Sequence, residues 1–268
     1  MVSVGGFGLG LGCGGGSEPP RIDAGPCVDA THDEDGDRVG DACDNCPATA
    51  NANQRDTTEL ELERFEDGVG DACDPRTALS GDQLARYFPF TSAADAEPWS
   101  GTGWTITDGA VHASADALWV TTRREQASGL YLQAVVPSLT WRAGGSLELT
   151  LDSDAAAGNG LRCTVFPDRN GDGTDELEAR EVGGVPLVKS LGGRIEEAFV
   201  VTAWRTVDNQ QRGRLTCRVT LGDVSYELQL PTTDGLTTGY YAMASQSATI
   251  AVSSVVVYTT PLMTKDPP

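Results

Sequence analysis

The 268-residue chain contains only two histidines, His32 and His112. A zinc site mixing thiolate and imidazole has little to draw on, and neither does a hydrolase that needs a positioned base. No charged side chain occurs before Glu18. No apolar stretch of about 18 residues exists, so a membrane-spanning helix is not expected. No long helical stripe appears downstream, which leaves strands as the principal element. Basic charge is also scarce: 19 Lys and Arg stand against 39 Asp and Glu, a net charge of −20. A surface this acidic repels phosphate backbones and excludes nucleic acid as a partner.

The acid is unevenly spread. From Glu18 to Asp82 there are 18 acidic and 5 basic residues, a net of −13, whereas Gln83 onward has 21 and 14, a net of −7. Acidic blocks are usually solvated tails. Here the acids are interleaved with cysteine and glycine at fixed spacing, so a folded module is expected instead. The seven cysteines are Cys13, Cys27, Cys43, Cys46, Cys73, Cys163 and Cys217. Four of them fall in this acidic segment, which has almost no aromatic side chain. That usage fits oxidised pairing in an extracytoplasmic compartment.

Residues 1–12, MVSVGGFGLGLG, are small and apolar and run into Cys13. They resemble the end of a bacterial lipoprotein signal, where a small-residue box precedes a cysteine that receives lipid. Gly12 fits the box; Gly10 departs from it, and no Lys or Arg precedes the apolar run. The resemblance implies lipidation at Cys13, which would leave six cysteines to pair. It also implies a secreted or outer-surface envelope protein that meets the membrane only through a lipid anchor. Residues 14–26 read as a Gly/Pro/Ser tether, so 1–26 form a signal-like segment and linker.

Residues 27–80 form the acidic cysteine module. Within it, 33–47 read DEDGDRVGDACDNCP. With Asp33 as loop position 1, carboxylates fall at Asp35, Asp37, Asp41 and Asp44, and Val39 takes the place where a calcium loop offers a backbone carbonyl. Calcium takes six to eight hard oxygens, and alternating acids on a curled loop can surround one ion. Five carboxylates so close together repel one another unless a cation sits among them. The loop is not an EF-hand: Arg38 replaces the position-6 glycine, Asp44 replaces glutamate, and no amphipathic helix flanks it.

The segment resembles thrombospondin type 3 repeats, strings of aspartate-rich calcium loops punctuated by disulfides. The resemblance rests on DEDGDRVGDACDNCP, on NANQRD at 51–56 and on EDGVGDACD at 66–74. The words VGDACD at 39–44 and 69–74 make an internal repeat. The resemblance implies calcium ligands Asp33, Asp35, Asp37, Val39, Asp41 and Asp44 in the first loop. In the second it implies Asp67, Val69, Asp71 and Asp74, helped by Asn51, Asn53 and Asp56. Counting back along the repeat puts Glu63 and Phe65 where the first two acids of that loop belong, which predicts a rearranged site. Four cysteines allow three connectivities. The family pattern implies Cys46–Cys73, leaving Cys27–Cys43. With almost no apolar core, bridges and metal must together hold this module.

From about residue 87 to 260, short alternating runs recur between Gly, Asp and Asn. Examples are GWTIT (103–107), LYLQAVV (130–136), LRCTVF (161–166), VSYELQL (224–230) and IAVSSVVVY (250–258). Period-2 alternation with regular turns predicts a mainly β, antiparallel sandwich. Cys163 and Cys217 lie in two such runs and are expected to bridge neighbouring strands. PWSGTGWTITDGAVHA (98–113) and GYYAMASQSATIAVSSVVVY (239–258) resemble the concanavalin-like, laminin-G-like jelly roll. DRNGDGTDE (168–176) offers Asp168, Asn170, Asp172 and Glu176 as a third calcium loop.

No catalytic residues are assigned. Glycoside hydrolysis needs two carboxyls facing each other across a sugar. Glu176 and Glu178, with Glu181 nearby, could offer such a pair, but they emerge from the loop just described. His112 sits in a run that reads as a strand, with no nucleophile motif beside it. The leading expectation is a calcium-binding adhesion or structural protein, the acidic module being a calcium-stiffened stalk whose partners are calcium and glycans or surface proteins. The alternative is a calcium-dependent, lectin-like carbohydrate-binding module; an envelope glycoside hydrolase is third.

Overall fold

Among the described residues the alternating runs become fourteen strands: β1 (Gln83–Phe88), β2 (Trp99–Thr107), β3 (Ala110–Thr121), β4 (Glu125–Gln126), β5 (Gly129–Val136), β6 (Ser138–Ser153) and β7 (Leu161–Phe166), then β8 (Glu176–Glu181), β9 (Leu187–Ser190), β10 (Phe199–Val207), β11 (Gly213–Leu221), β12 (Val224–Thr232), β13 (Thr238–Val252) and β14 (Ser254–Thr260). The computed structural model describes residues 32–61, 66–77, 79–122, 125–153, 159–207, 212–232 and 238–260. The expected tether, the lipidation site Cys13 and the cysteine Cys27 lie outside these residues.

All pairings are antiparallel, and they build two sheets. One runs β1-β14-β5-β10-β11-β12; the other runs β2-β3-β13-β6-β7-β8-β9, with β4 joined to β13. The antiparallel sandwich expected from the alternation, in the jelly-roll form that the resemblance implied, is what forms. One side of each strand points between the sheets: Leu147, Leu149 and Leu151 from β6 meet Leu130, Leu132 and Ala134 from β5 in one core. The run IAVSSVVVY is not one strand. It breaks at Ser253, whose N–H donates to the Val135 carbonyl at 3.0 Å. The chain there leaves one sheet (β13) and enters the other (β14).

Two covalent or ionic ties cross the core. Cys163 on β7 and Cys217 on β11 form a disulfide. Those strands belong to different sheets, so the bridge spans the sandwich instead of joining neighbouring strands as expected. Both residues sit at inward positions, where the facing sheet is the nearer partner. Arg205 of β10, 2% exposed, pairs with Asp152 of β6 and donates to the Ala127 carbonyl at 3.1 Å. Burial lowers the Arg205 pKa from its ordinary value, and the Asp152 carboxylate opposes that shift.

β5 and β14 are buried on both faces. Leu130, Leu132, Val255 and Val257 face the main core, while Tyr131, Val256 and Tyr258 lie in a second cluster with Cys46, Ala48, Val69 and Cys73. That second cluster is the acidic module lying on the outer face of the six-stranded sheet. Tyr87 donates its hydroxyl to Asp41 at 2.6 Å, and the Gln133 amide donates to the Ala48 carbonyl at 3.2 Å. The stalk expected from the sequence is therefore corrected. Segment 32–77 has too little apolar surface for a core of its own, so it completes one against the sandwich. Continuous apolar runs such as VVVY are the signature of strands covered on both sides.

Breaking the inter-sheet tie is expected to cost about 4 kcal/mol, the loop-closure term for a bridge of this separation. Urea unfolding of a Cys163→Ala/Cys217→Ala double variant checks this; an unchanged midpoint would show that the bridge contributes nothing.

Candidate metal centre

The first loop turns back on itself through carboxylate caps. Asp33 accepts from the Gly36 and Arg38 N–H groups at 2.8 and 2.9 Å, and Asp37 accepts from Val39 at 2.8 Å. Arg38 adopts φ +79°, a left-handed conformation that a side chain normally avoids. One oxygen from each of Asp33, Asp35 and Asp37 lies within 4.8 Å of the others. Asp44 stands beside them, as its charge acts on Asp35.

Asp41 does something else. Its Oδ2 meets His32 Nδ1 at 2.5 Å and accepts from Tyr87, and its Oδ1 accepts from the Glu34 N–H. It ties the loop to the sandwich and is not in the carboxylate group. Asn51 serves this first loop too, its N–H donating to Asp37 at 2.7 Å, while Asn53 caps the Arg55 N–H. The Asn51 side chain also lies against the second loop, where a Cβ on Gly70 would meet its Nδ2 at 2.6 Å.

The second loop repeats the first bond for bond. Asp41 N–H donates to the carbonyl of His32, just before Asp33; Asp71 N–H donates to the carbonyl of Arg55, just before Asp56. Gly68 N–H donates to Asp56 at 2.8 Å as Arg38 N–H donates to Asp33, and Val69 N–H donates to Asp67 as Val39 N–H donates to Asp37. Position 1 is thus Asp56, not Glu63. Three residues separate Asp33 from Asp37, whereas ten separate Asp56 from Asp67. An insertion inside the loop displaced the register inferred from the repeat; Glu63 and Phe65 lie outside the described residues.

The insertion opens with one helical turn, α1 (Thr58–Glu61). It delivers Glu59, which is fully buried. Glu59 groups with Asp56 and Asp71, and also with Asp67 and Asp74. The sequence reading missed this residue. The signal available was an acid on the near side of an interrupted aspartate series. Gly70 is needed at the crossing of the two loops, since a Cβ there would lie 2.4 Å from the Asn45 Oδ1.

Several oxygens in these groups are buried and lack a hydrogen-bond partner: Asp35 Oδ2, Asp44 Oδ2, Asp56 Oδ1, Asp74 Oδ2 and both oxygens of Glu59. Buried acceptors are normally satisfied. Each carboxylate group holds at least one orphaned acid: Asp35 in the first, Asp56 and Glu59 in the second, Glu59 and Asp74 in the third. Hard oxygens gathered in this way suit calcium, so the residues fit that ion. Burial pushes Asp35 and Asp56 up to about 6, backed by their acidic neighbours. Burial also raises Asp74, with Glu59 and Asp82 adding to the shift.

Cys46 and Cys73 are bridged beneath the two loops. Cys43 is also disulfide-bonded, and Cys27, the partner implied for it, is outside the described residues.

The third loop behaves differently. Asp168 accepts from the Gly173 N–H and from Arg194, both within 2.8 Å. Asp172 accepts from Thr174 and Asn170. Glu176 accepts from the Arg169 N–H at 2.9 Å and the Asn170 N–H at 3.4 Å. Among the described residues this loop contributes no carboxylate group of three and no orphaned oxygen. The acids expected to bind calcium here, Asp168, Asp172 and Glu176 beside Asn170, are engaged by the chain's own N–H donors and, at Asp168, by Arg194.

Glu178 is held by Arg169 at 2.8 Å and by Arg180 at 2.7 Å. With Glu176 occupied by backbone donors, the two acids do not form a facing pair free to exchange protons across a sugar. His112 binds only the Thr107 carbonyl, at 3.2 Å.

No protein-family model and no curated protein matches the chain. Solved structures with a similar sandwich do exist. A legume lectin-like domain from Entamoeba histolytica is 10% identical with a TM-score of 0.49, over 63% of this chain and 93% of that one. The lumenal domain of VIP36, in a form bound to calcium and Man3GlcNAc, is 14% identical at 0.49, over 70% and 92%. A Bacillus licheniformis β-glucanase is 12% identical at 0.46, over 67% and 98%. Likeness at this level concerns strand arrangement and carries no residue or ligand across.

The raised carboxylates give a pH test with a definite sign. A carboxyl whose folded pKa lies above its unfolded value favours folding only while protonated. In metal-free buffer, stability should therefore fall as pH rises from about 4, the ordinary range, to about 6, the raised value of Asp35 and Asp56. Saturating calcium should abolish that fall. Calorimetric melting at both ends of the window, with and without calcium, checks it; a metal-free protein that gains stability across the window would contradict it.

Proposed function

We propose that this is a calcium-dependent carbohydrate-binding protein of the cell exterior, in which cations hold the acidic module against a lectin-like sandwich. The calcium half rests on the orphaned buried oxygens of Asp35, Asp44, Asp56, Glu59 and Asp74. The resemblance to thrombospondin type 3 repeats supports it through the residues quoted above. Disulfides in both parts of the chain support an oxidising location.

The carbohydrate half rests on a cleft of about 480 Å³ where module and sheet meet. Thr49 and Asp74 of the module face Gln133, Thr202, Trp204 and Arg218 of the sheet across it. An aromatic ring edged by hydroxyl, amide, carboxylate and guanidinium groups suits a sugar ring, whose C–H face stacks while its hydroxyls bond. Because one wall belongs to the second loop, cation and sugar would support each other. No catalysis is proposed, since the candidate acids Glu176 and Glu178 are engaged as described.

Adhesion to a protein partner is the other reading, and the docked module would present its surface equally well. A glycan array probed with the intact protein, with calcium and after chelation, separates the two. Specific binding that disappears on chelation is expected, and Trp204→Ala should weaken it about tenfold or more. No glycan bound in either condition would leave adhesion as the surviving reading.

A further inference from the structure

We infer that Glu59 bridges two divalent cations in the second loop, one shared with Asp56 and Asp71 and the other with Asp67 and Asp74. This rests on the calcium reading and goes beyond it, because the aspartate pattern of the repeat contains no Glu59.

Glu59 is 0% exposed, and neither of its oxygens receives an N–H or hydroxyl donor; the group it faces is the Asp74 carboxyl, a second acid. Among the described residues it is the one common to two separate carboxylate groups, each with ligand oxygens within 4.8 Å of one another. Asp56 Oδ1 in one group and Asp74 Oδ2 in the other are also buried and unpartnered. Two cationic side chains nearby, among the described residues, are engaged at the margins. Arg55 binds Asp71 at 3.0 Å, and Arg76 grips Asp82 at 2.9 Å. Neither bonds to Glu59.

A carboxylate can bind through both oxygens, one to each of two hard cations. A fully buried carboxylate with no partner is strongly unfavourable on its own. Placed between two groups of acids it is worse still, unless cations occupy both. The first loop forms a single group, Asp33 with Asp35 and Asp37, and has no such shared vertex. The inserted turn α1 therefore does more than restore a missing acid: it joins two cation positions through one side chain.

Equilibrium dialysis of the full chain against calcium at about 1 mM, the range of extracellular modules, counts the ions bound per chain. Glu59→Gln is expected to bind two fewer than the wild type, and Asp56→Asn one fewer. In metal-free buffer Glu59→Gln should melt several degrees above the wild type, because it removes a repelling charge; with calcium it should melt below it. A side chain serving only to pack would not reverse sign in this way. If Glu59→Gln binds as many ions as the wild type, or only one fewer, the bridge is refuted. A wild type that binds no calcium would instead overturn the calcium reading itself. If Glu59→Gln does not fold, the metal-free melting of Asp56→Asn decides: no gain over the wild type counts against the inference.

Discussion

Mutual repulsion among buried carboxylates governs this molecule. The two loops gather their aspartates tightly, around a small number of points, and leave several oxygens without donors. Among the described residues the guanidinium groups of Arg55 and Arg76 bind Asp71 and Asp82, and the buried orphaned oxygens of Glu59, Asp56 and Asp74 receive no donor. The module therefore has two opposed tendencies: disulfides and backbone caps pull it closed, and charge pushes it open. On the reading proposed above, a divalent cation decides between them. The third loop shows the contrast, for there Arg194 and backbone donors meet similar acids and no such demand arises.

The second constraint is the shortage of apolar surface in the acidic segment. Cys46, Val69 and Cys73 are buried only because Tyr131, Val256 and Tyr258 lie beneath them. The six-stranded sheet is thus covered on both sides, and its middle strands read as continuous apolar runs. Module and sandwich have become one folding problem. Electrostatic balance in the loops is felt at an aromatic surface some distance away, through Tyr87 on Asp41 and through the Cys46–Cys73 bridge.

Much of this was legible in the sequence. Alternation marked β7 and β12 closely, and the repeated VGDACD words marked the ends of both loops. Other features were hidden for physical reasons. Period-2 patterning cannot say which sheet a strand joins, so the sheet change at Ser253 and the inter-sheet course of Cys163–Cys217 were not visible. β10, which the examples drawn from the alternation omit, carries Arg205 on the same phase as Phe199, Val201 and Ala203, where a charge reads as an outward position. Glu59 was missed because repeat counting assumes equal loop lengths. A seven-residue excess moved the register, and only the backbone bonds of Asp56 and Asp71 restored it.

Docking the acidic segment on the sheet has a consequence for the protein as a solute. Tyr131, Val256 and Tyr258 form a flat aromatic and aliphatic surface that water meets only if the cover lifts. Chelation would thus do more than loosen two loops: it would turn a highly charged, self-repelling particle into one with an adhesive side. On the calcium reading proposed above, the concentration of the ion becomes a control on colloidal behaviour, with clustering favoured wherever it is withdrawn.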